Sequence, residues 1–230
     1  MKVLITGAKG QLGKSLISLN DKSINLLVPD RFEFNLQDNQ SMKDYIYHHK
    51  PDWTINCAAY TSVEDAEDNY CLAKSVNSIG VQSLAKIIES FGGKLLQLSS
   101  DFIFDGIKNA PYKPLDKGNP LNKYGFTKYQ AENEILKIFS DTNKGIILRT
   151  SWLISPYGNN FLLTILRLLK ERDSLKVVSD QIGSLTSCIS LADTCWKIIS
   201  LYSKNNFNNS LPNILHWCDE GIISWFQIAC

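Results

Sequence analysis

Residues 2–13 read KVLITGAKGQLG, a β-branched apolar run followed by three glycines. Lys2–Thr6 is predicted to be a strand, and the chain after the glycines a helix. Gly7 permits a tight turn, Gly10 removes a Cβ where a pyrophosphate approaches the backbone, and Gly13 lets helix and strand pack closely. The free N–H groups at the start of the helix then favour a bound diphosphate. This segment predicts a dinucleotide-binding turn.

The first half of the chain continues this alternation of strand and helix. Further strands are predicted at Asn25–Val28, Trp53–Cys57, Lys94–Leu98 and Ile146–Thr150, and further helices at Asp38–His49, Asp65–Phe91 and Leu121–Phe139. Strands that alternate with helices imply parallel pairing through right-handed crossovers. We therefore expect an α/β fold, in which residues 1–150 form a Rossmann-like doubly wound parallel sheet that binds a dinucleotide.

The pattern loosens after Thr150. Helices are predicted at Phe161–Glu171 and Leu191–Tyr202, strands at Leu175–Val178 and Asn213–Trp217, and a solvated loop at Asn205–Ser210. No linker is long enough to separate two independent domains. We expect residues 151–230 to form a small, partial substrate-binding lobe that is interleaved with the last sheet elements.

Composition excludes several classes of function. The 230 residues are 44% hydrophobic and 20% charged, which is typical of a globular protein rather than a disordered one. The 24 Lys and Arg residues balance 23 Asp and Glu residues, so a nucleic-acid partner is not expected. The longest apolar runs are too short to span a membrane. No signal-peptide cleavage region follows Met1, so we expect a cytoplasmic protein.

The cysteines do not indicate a metal site. None of the six stands in a C-x-x-C pair, so a zinc ribbon or a thioredoxin-like pair has no support. Each is expected to fill core or near-surface space as a small apolar residue, as in a reducing compartment. The six are Cys57, Cys71, Cys188, Cys195, Cys218 and Cys230.

Two adjacent residues bear on the choice of nicotinamide cofactor. Asp30 follows the second predicted strand, where a carboxylate accepts a hydrogen bond from the ribose 2′-hydroxyl of NADH. Arg31 comes next, and a guanidinium suits the 2′-phosphate of NADPH. Both NADPH and NADH therefore remain open.

A tyrosine and a lysine stand at helical spacing in two places. Tyr124 and Lys128 lie at i, i+4 and share one helix face, as do Tyr70 and Lys74. Only Tyr124 follows a polar strand end, at Ser100, and ligands bind at the carboxyl ends of parallel strands. We expect Lys128 to lower the pKa of Tyr124, Tyr124 to transfer a proton, and Ser100 to hydrogen-bond a substrate oxygen. Tyr70 and Lys74 are interpreted as surface residues.

Several longer strings resemble one family within the extended short-chain dehydrogenases/reductases. They are Gly7–Gly13, Asn56–Val63, Val76–Asn77, Leu98–Phe104, Pro120–Asn122 with Tyr124–Lys128, Arg149–Trp152, Gly158–Phe161 and Ser179–Gly183. Together they resemble the dTDP-4-dehydrorhamnose reductase family from residue 1 to the end of the chain. By that resemblance the chain is an enzyme that uses NADPH or NADH to reduce the C4 keto group of dTDP-4-dehydro-L-rhamnose to dTDP-L-rhamnose.

The resemblance also implies roles for individual residues. Ser100, Tyr124 and Lys128 fall on catalytic positions, and Ser100, Asp101, Tyr124 and Trp152 on positions that line the nucleotide-sugar substrate. Cofactor-lining positions, with those argued above, are Gly7, Gly10, Gln11, Leu12, Gly13, Asp30, Arg31, Asn35, Leu36, Ala58, Ala59, Tyr60, Thr61, Tyr124 and Lys128. No metal is expected, and a homodimer is compatible with this reading.

The sequence departs from the family at a few positions. Ser100 stands where the family usually has Thr, which keeps the hydroxyl, and Phe102 stands where it usually has Tyr, which puts one polar contact in doubt. The family also continues beyond the point where this sequence stops, so the substrate lobe is expected to be partial.

Two rival functions remain at this stage. A sugar-nucleotide dehydratase or epimerase of the same superfamily is one, although dehydration needs adjacent Asp and Glu and here Asp101 is followed by Phe102. The other is a non-catalytic nucleotide-binding protein that resembles the regulatory subunit of methionine adenosyltransferase. The presence of Ser100, Tyr124 and Lys128 argues against that second reading.

Overall fold

The computed structural model describes residues 1–203 and 211–230. Its central feature is a six-stranded parallel sheet with the strand order β2-β1-β3-β4-β5-β9. The strands, with the two-stranded pairs outside this sheet, are β1 (Lys2–Thr6), β2 (Asn25–Leu27), β3 (Trp53–Asn56), β4 (Lys94–Ser100), β5 (Gly145–Thr150), β6 (Leu153–Ile154), β7 (Ile182–Gly183), β8 (Thr186–Ser187), β9 (Ile214–His216) and β10 (Ile223–Ser224). The predicted α/β fold with a parallel sheet is confirmed.

Helices cover both faces of this sheet. They are α1 (Gln11–Ser18), α2 (Asn39–His49), α3 (Asp65–Asp68), α4 (Tyr70–Lys74), α5 (Val81–Phe91), α6 (Lys123–Ile138), α7 (Phe161–Glu171), α8 (Cys188–Ser203) and α9 (Trp225–Ala229). A π-helical segment at Ser75–Gly80 joins α4 to α5, and a 3-10 turn at Asp101–Ile103 follows β4.

The two faces of the sheet bury separate apolar clusters because side chains alternate along each strand. On β1, Val3 and Ile5 pack with residues of α1 and α8, including Leu16 and Leu191. Leu4 points to the other face, where the core contains residues of α2, α5 and α6. The strands are therefore packed between two apolar layers.

The order of the strands locates the expected binding edge. From β1 the chain passes to β2 on one side and then returns to β3 on the other side of β1. The helices that follow β1 and β3 therefore lie on opposite faces and leave a crevice at the carboxyl ends of these strands. The glycine turn comes directly after β1 and opens onto that crevice.

Some predicted elements differ from the structure. Leu175–Val178 is not a strand, and the single helix predicted over Asp65–Phe91 is divided. The break occurs at Asn69, whose φ of −105° and ψ of 38° leave the helical region, and the π-helical turns follow it. The predicted loop at Asn205–Ser210 lies outside the described residues.

The segment after β5 contributes both to the main sheet and to a group of small elements outside it. Helix α8 and strand β9 complete the main sheet and its cover. The remaining elements form two small strand pairs, β6 with β8 and β10 with β7, together with α7 and α9. Residue 150 as a domain boundary stays a prediction.

Candidate active site

A cleft of about 740 Å³ runs along the carboxyl ends of β1, β3 and β4. Every residue predicted to line a cofactor site lies on its wall, from Gly7 at one end to Lys128 on α6. Among the described residues, the wall does not include Ser100, Asp101 or Trp152. The cleft therefore collects the cofactor candidates, and the substrate candidates lie beside it.

The three glycines of the turn do different things. Gly7 has a φ of 65°, and a Cβ there would lie 2.8 Å from the Ala58 nitrogen. A Cβ on Gly13 would lie 2.5 Å from the Gly7 carbonyl oxygen, so close packing excludes a side chain at both positions. A Cβ on Gly10 would have the Gly7 oxygen at 3.2 Å as its only described neighbour within 4 Å. The Cβ position of Gly10 is therefore largely open.

The start of α1 fits an anion. Gly10 precedes the helix with extended backbone, and no described side chain caps it. The first N–H groups of a helix have no intrahelical partner, and here they belong to residues on the cleft wall. Open space at Gly10 together with uncapped N–H groups matches the needs of a dinucleotide's diphosphate.

A buried polar network that sequence reasoning did not identify lies at the base of the cleft. The Thr6 hydroxyl donates to Asn56 Oδ1 at 2.5 Å, and Asn56 Nδ2 donates to Gln97 Oε1 at 2.7 Å. The Ala58 N–H in turn donates to Thr6 Oγ1 at 3.2 Å. This network joins β1, β3 and β4 where they meet the cleft. Its signal in the sequence is a polar residue within each of three apolar strands.

Asn77, on the π-helical segment, fixes the loop after β3. Its Oδ1 accepts from the Tyr60 N–H at 2.8 Å, and its Nδ2 donates to the Tyr60 carbonyl at 2.9 Å. Nδ2 also lies 3.2 Å from Thr127 Oγ1 on α6. The residue thus holds the cleft-lining loop against the helix that carries Tyr124 and Lys128.

Tyr124 and Lys128 are both buried, at 9% and 5% exposure. Burial raises the pKa of Tyr124 to about 12, although hydrogen bonding by the Ser100 hydroxyl lowers it in part. The Lys128 ammonium donates to the Leu98 carbonyl at 2.7 Å, and burial lowers its pKa to about 8. The expectation that Lys128 lowers the pKa of Tyr124 is therefore wrong in this structure, because loss of water around the phenol dominates.

Ser100 and Asp101 form a hydrogen-bonded pair beside Tyr124. The Ser100 hydroxyl donates to Asp101 Oδ1 at 3.0 Å and accepts from the Phe102 N–H at 3.2 Å. Burial raises the pKa of Asp101 to about 6. The Phe102 ring meets the Tyr124 ring edge to face, with centroids 5.7 Å apart. An apolar ring therefore packs against Tyr124 at this position.

The burial of Asp101 predicts a pH-dependent stability. Because the folded chain binds this proton more tightly than the unfolded chain, whose Asp pKa is about 3.9, the parent loses stability as the pH rises from about 4 to about 6. We expect Asp101→Asn to raise the free energy of unfolding by on the order of 2 kcal/mol at pH 7 and to have no such effect below about pH 4. Urea denaturation across this range measures the difference.

Asp105→Asn is the control for that measurement. Hydrogen bonds from Tyr112 and Asn119 lower the pKa of Asp105, so its removal should destabilise the protein at neutral pH. A stability of Asp101→Asn that equals the parent's at every pH would contradict the burial argument.

Asp30 and Arg31 both lie on the cleft wall but have local partners. Asp30 Oδ1 accepts from the N–H groups of Phe32 at 2.8 Å and Glu33 at 3.1 Å. The Arg31 guanidinium donates to Gln37 Oε1 at 3.1 Å. Asp30 thus shapes its own turn through one oxygen, and Arg31 stays at the mouth of the cleft.

Trp152 lies in the small lobe, where its indole stacks on Trp225 with ring centroids 3.7 Å apart. Its φ of 43° is unusual for a bulky residue. A Cβ on Gly183 would lie 2.8 Å from two atoms of this ring, so that position is restricted to glycine. Trp152 is a rigidly held aromatic side chain.

The second pair at the same spacing is placed differently. Tyr70 lies on the short helix α4, and the Lys74 ammonium lies 5.9 Å from its ring centroid. The Lys123 ammonium is 5.0 Å from the same ring. Neither Tyr70 nor Lys74 lies on the cleft wall among the described residues.

Comparison with known proteins identifies the family. The model of the RmlD substrate binding domain matches residues 1–230. A dTDP-4-dehydrorhamnose reductase from Aggregatibacter actinomycetemcomitans is 39% identical over 99% of this chain and 76% of its own length. The chain belongs to the dTDP-4-dehydrorhamnose reductase family. The resemblance stated from the motifs is therefore confirmed.

Solved structures of the family have the same fold. A reductase from Clostridium acetobutylicum matches with a TM-score of 0.90 and 36% identity, over 100% of this chain and 78% of that one. A reductase from Bacillus anthracis in complex with NADP matches with a TM-score of 0.90 and 35% identity, over 99% of this chain and 78% of that one.

No helix among the described residues is long and apolar enough to cross a membrane. No group of three or more His, Cys, Asp or Glu side chains in the described ranges is arranged to hold a metal ion.

Proposed function

We propose that this chain is an NADPH-dependent reductase that converts the C4 keto group of dTDP-4-dehydro-L-rhamnose to the alcohol of dTDP-L-rhamnose. The observation that carries the proposal is the meeting of Tyr124 and Lys128 with the open glycine turn in one cleft. The reaction is the one that the names of the relatives above describe. NADPH is the reduced form of the NADP bound to the Bacillus anthracis enzyme.

Residues of the glycine turn and of the loop after β3 would hold the cofactor. The uncapped first turn of α1 suits the diphosphate, and the Tyr60 loop, fixed by Asn77, lines the same cleft. When bound, the nicotinamide supplies the hydride that reaches C4. The polar network of Thr6, Asn56 and Gln97 joins the three strand ends at the base of the cleft.

Tyr124 supplies the proton in this mechanism. A phenol donates only in its neutral form, and a pKa of about 12 keeps Tyr124 protonated at neutral pH. Transfer of its proton to the C4 oxygen as negative charge develops there completes the reduction. The high pKa therefore suits the direction of reduction, although it is opposite to the shift expected from the sequence.

Lys128 and Ser100 assist from fixed positions. With a pKa of about 8, Lys128 carries its charge at neutral pH, and its bond to the Leu98 carbonyl fixes the ammonium on the cleft wall. The single proton of Ser100 faces Asp101 in this structure, and it would rotate toward the substrate oxygen to donate there. Asp101 therefore competes with the substrate for the Ser100 proton.

The test is NADPH oxidation by the purified chain, followed by absorbance, with dTDP-4-dehydro-L-rhamnose supplied. We expect substrate-dependent loss of NADPH and formation of dTDP-L-rhamnose, which NMR identifies by the configuration at C4. NADPH binding without any turnover would contradict the proposal and favour the non-catalytic nucleotide-binding protein. Accumulation of a dehydrated sugar with tightly retained oxidised cofactor would favour a dehydratase.

Cofactor preference depends in part on the charge of Asp30. Asp30→Asn keeps the oxygen that accepts from Phe32 and Glu33 but removes a charge that repels a 2′-phosphate. We expect the kcat/KM ratio of NADPH to NADH to rise about tenfold, which corresponds to about 1.4 kcal/mol. Asp21→Asn is the control, because Asp21 accepts from Ser23 in a similar turn. A ratio that stays constant or moves toward NADH would contradict this assignment.

We propose that the protein acts in the cytoplasm. We also propose a homodimer, which light scattering would test. The six cysteines are free, in agreement with a reducing compartment. The substrate is a nucleotide sugar, and the residues that would meet it lie between the cleft and the small lobe.

A further inference from the structure

Gln11 lies on the cleft wall, and its side chain bonds to the loop at residues 155–160. The carboxamide oxygen Oε1 accepts from Asn160 Nδ2 and from the Ser155 hydroxyl, each at 2.9 Å. The carboxamide nitrogen Nε2 donates to the Asn159 carbonyl at 3.3 Å. An amide oxygen has two acceptor positions, and these two donors are placed to reach them. The carboxamide of Gln11 is therefore hydrogen-bonded to the loop at 155–160.

The direction of these bonds is fixed by Asn160. Its Oδ1 accepts from the Leu163 N–H at 3.0 Å and caps helix α7. Its Nδ2 must then face the other way, where it donates to Gln11 Oε1 and to the Ser155 carbonyl, each at 2.9 Å. The Ser155 hydroxyl has one proton and two acceptors in reach, so Asn160 provides the unambiguous bond to Gln11.

Packing strengthens the same junction. Gly158 has a φ of 68°, and a Cβ there would lie 3.2 Å from Gln11 Cγ. One turn further along α1, the Lys14 ammonium lies 5.2 Å from the centroid of the Tyr157 ring. The first turn of α1 is thus in contact with the loop over several residues.

The junction leads from the cofactor turn to the substrate lobe. Asn160 caps α7, and the next residue, Phe161, packs on Trp225 with ring centroids 4.4 Å apart. Trp225 stacks on Trp152, which is proposed to line the substrate site. The start of α7 therefore lies between the dinucleotide turn and the rigid Trp152 ring.

We propose that Gln11 is a positioning residue, whose side chain fixes the start of α7, and with it the nucleotide-sugar site, to the glycine turn. In this arrangement the cofactor would be bound by the backbone of Gln11, whose N–H lies in the uncapped first turn of α1, and not by its side chain. The hydrogen bonds that join Gln11 to Asn160 and the loop at 155–160 are called the clamp. The expected effect on sugar-nucleotide binding rests on the proposed function, whereas the clamp itself does not.

Hydrogen exchange tests the clamp without reference to activity. In Gln11→Leu, amide exchange over residues 155–165 should rise at least about tenfold, the change that loss of ~1.4 kcal/mol of local stability gives. Exchange in β1, β3 and β4 should stay as in the parent. Unchanged exchange over 155–165 would overturn the proposal, whatever the reductase assay shows.

Asn160→Asp is the second variant and guards against misfolding of the first. An aspartate still accepts from Leu163 and caps α7 but can donate neither to Gln11 nor to the Ser155 carbonyl. We expect the same local rise in exchange, because the bond to Gln11 is lost from its other end. A variant that exchanges like the parent would show that the bond does not hold the loop.

Comparing the Kd of NADPH with the KM of the sugar nucleotide links the clamp to function. For both variants we expect the Kd of NADPH to stay within about twofold of the parent and the KM of the sugar nucleotide to rise about tenfold. A rise in the Kd of NADPH for Gln11→Leu with unchanged KM would make Gln11 a direct cofactor contact and overturn the proposal. A parent chain that lacks turnover but shows the exchange effect would refute the proposed reaction and leave the clamp standing.

Discussion

Tyr124→Phe is expected to reduce kcat by on the order of 10²–10⁴, because it deletes the proton donor and keeps the ring. The phenol is buried beside Ser100, and its pKa of about 12 means that the lost group is protonated and ready to donate at neutral pH. The aromatic contact with Phe102 remains in the variant. Steady-state NADPH oxidation at saturating sugar nucleotide measures the effect.

The Kd of NADPH should change little in Tyr124→Phe, because Lys128 keeps its bond to the Leu98 carbonyl and the glycine turn is untouched. Tyr70→Phe is the matched control: it has the same spacing to a lysine, and its ring keeps the two nearby ammonium groups of Lys74 and Lys123. It should leave kcat near the parent value. Near-parent turnover in Tyr124→Phe would refute the mechanism and favour the non-catalytic reading.

The sheet and the glycine turn were predictable because their causes are local. The β-branched run at Lys2–Thr6 determines the strand. The turn follows from Gly7 and Gly13, where a Cβ would collide with neighbouring backbone atoms. The divided helix after Asp65 was not predictable in the same way. Its apolar spacing continues through Asn69 and Ser75–Gly80, and only contacts such as that of Asn77 with Tyr60 distinguish the interrupted form.

The candidate site shows the same division. Helical spacing correctly brings Tyr124 and Lys128 to the cleft, but it does not indicate how deeply either is buried. The direction of the Tyr124 pKa shift depends on that burial, and the partner of Lys128 is a carbonyl on β4. The bonds of Gln11 to a loop that begins 144 residues later depend on tertiary packing alone. Spacing predicts which residues meet, and packing decides what they do.

Gly10→Val is expected to weaken NADPH binding by on the order of a hundredfold or more, about 2.7 kcal/mol, while the protein stays folded. The reason is the asymmetry among the glycines of the turn. A side chain at Gly10 has only the Gly7 oxygen at 3.2 Å among its described neighbours, so the fold can accommodate it. The same side chain would occupy the space through which a diphosphate approaches the N–H groups of α1. Fluorescence titration with NADPH and thermal unfolding measure the two effects.

Gly13→Val separates loss of binding from loss of structure. Its Cβ would lie 2.5 Å from the Gly7 oxygen and 2.6 Å from the Ala8 Cα, both backbone atoms that cannot move without opening the turn. This variant should therefore unfold at a lower temperature than the parent, whereas Gly10→Val should unfold near the parent's temperature. NADPH affinity at the parent level in Gly10→Val would mean that the diphosphate does not approach this turn, and the cofactor would have to bind elsewhere along the cleft.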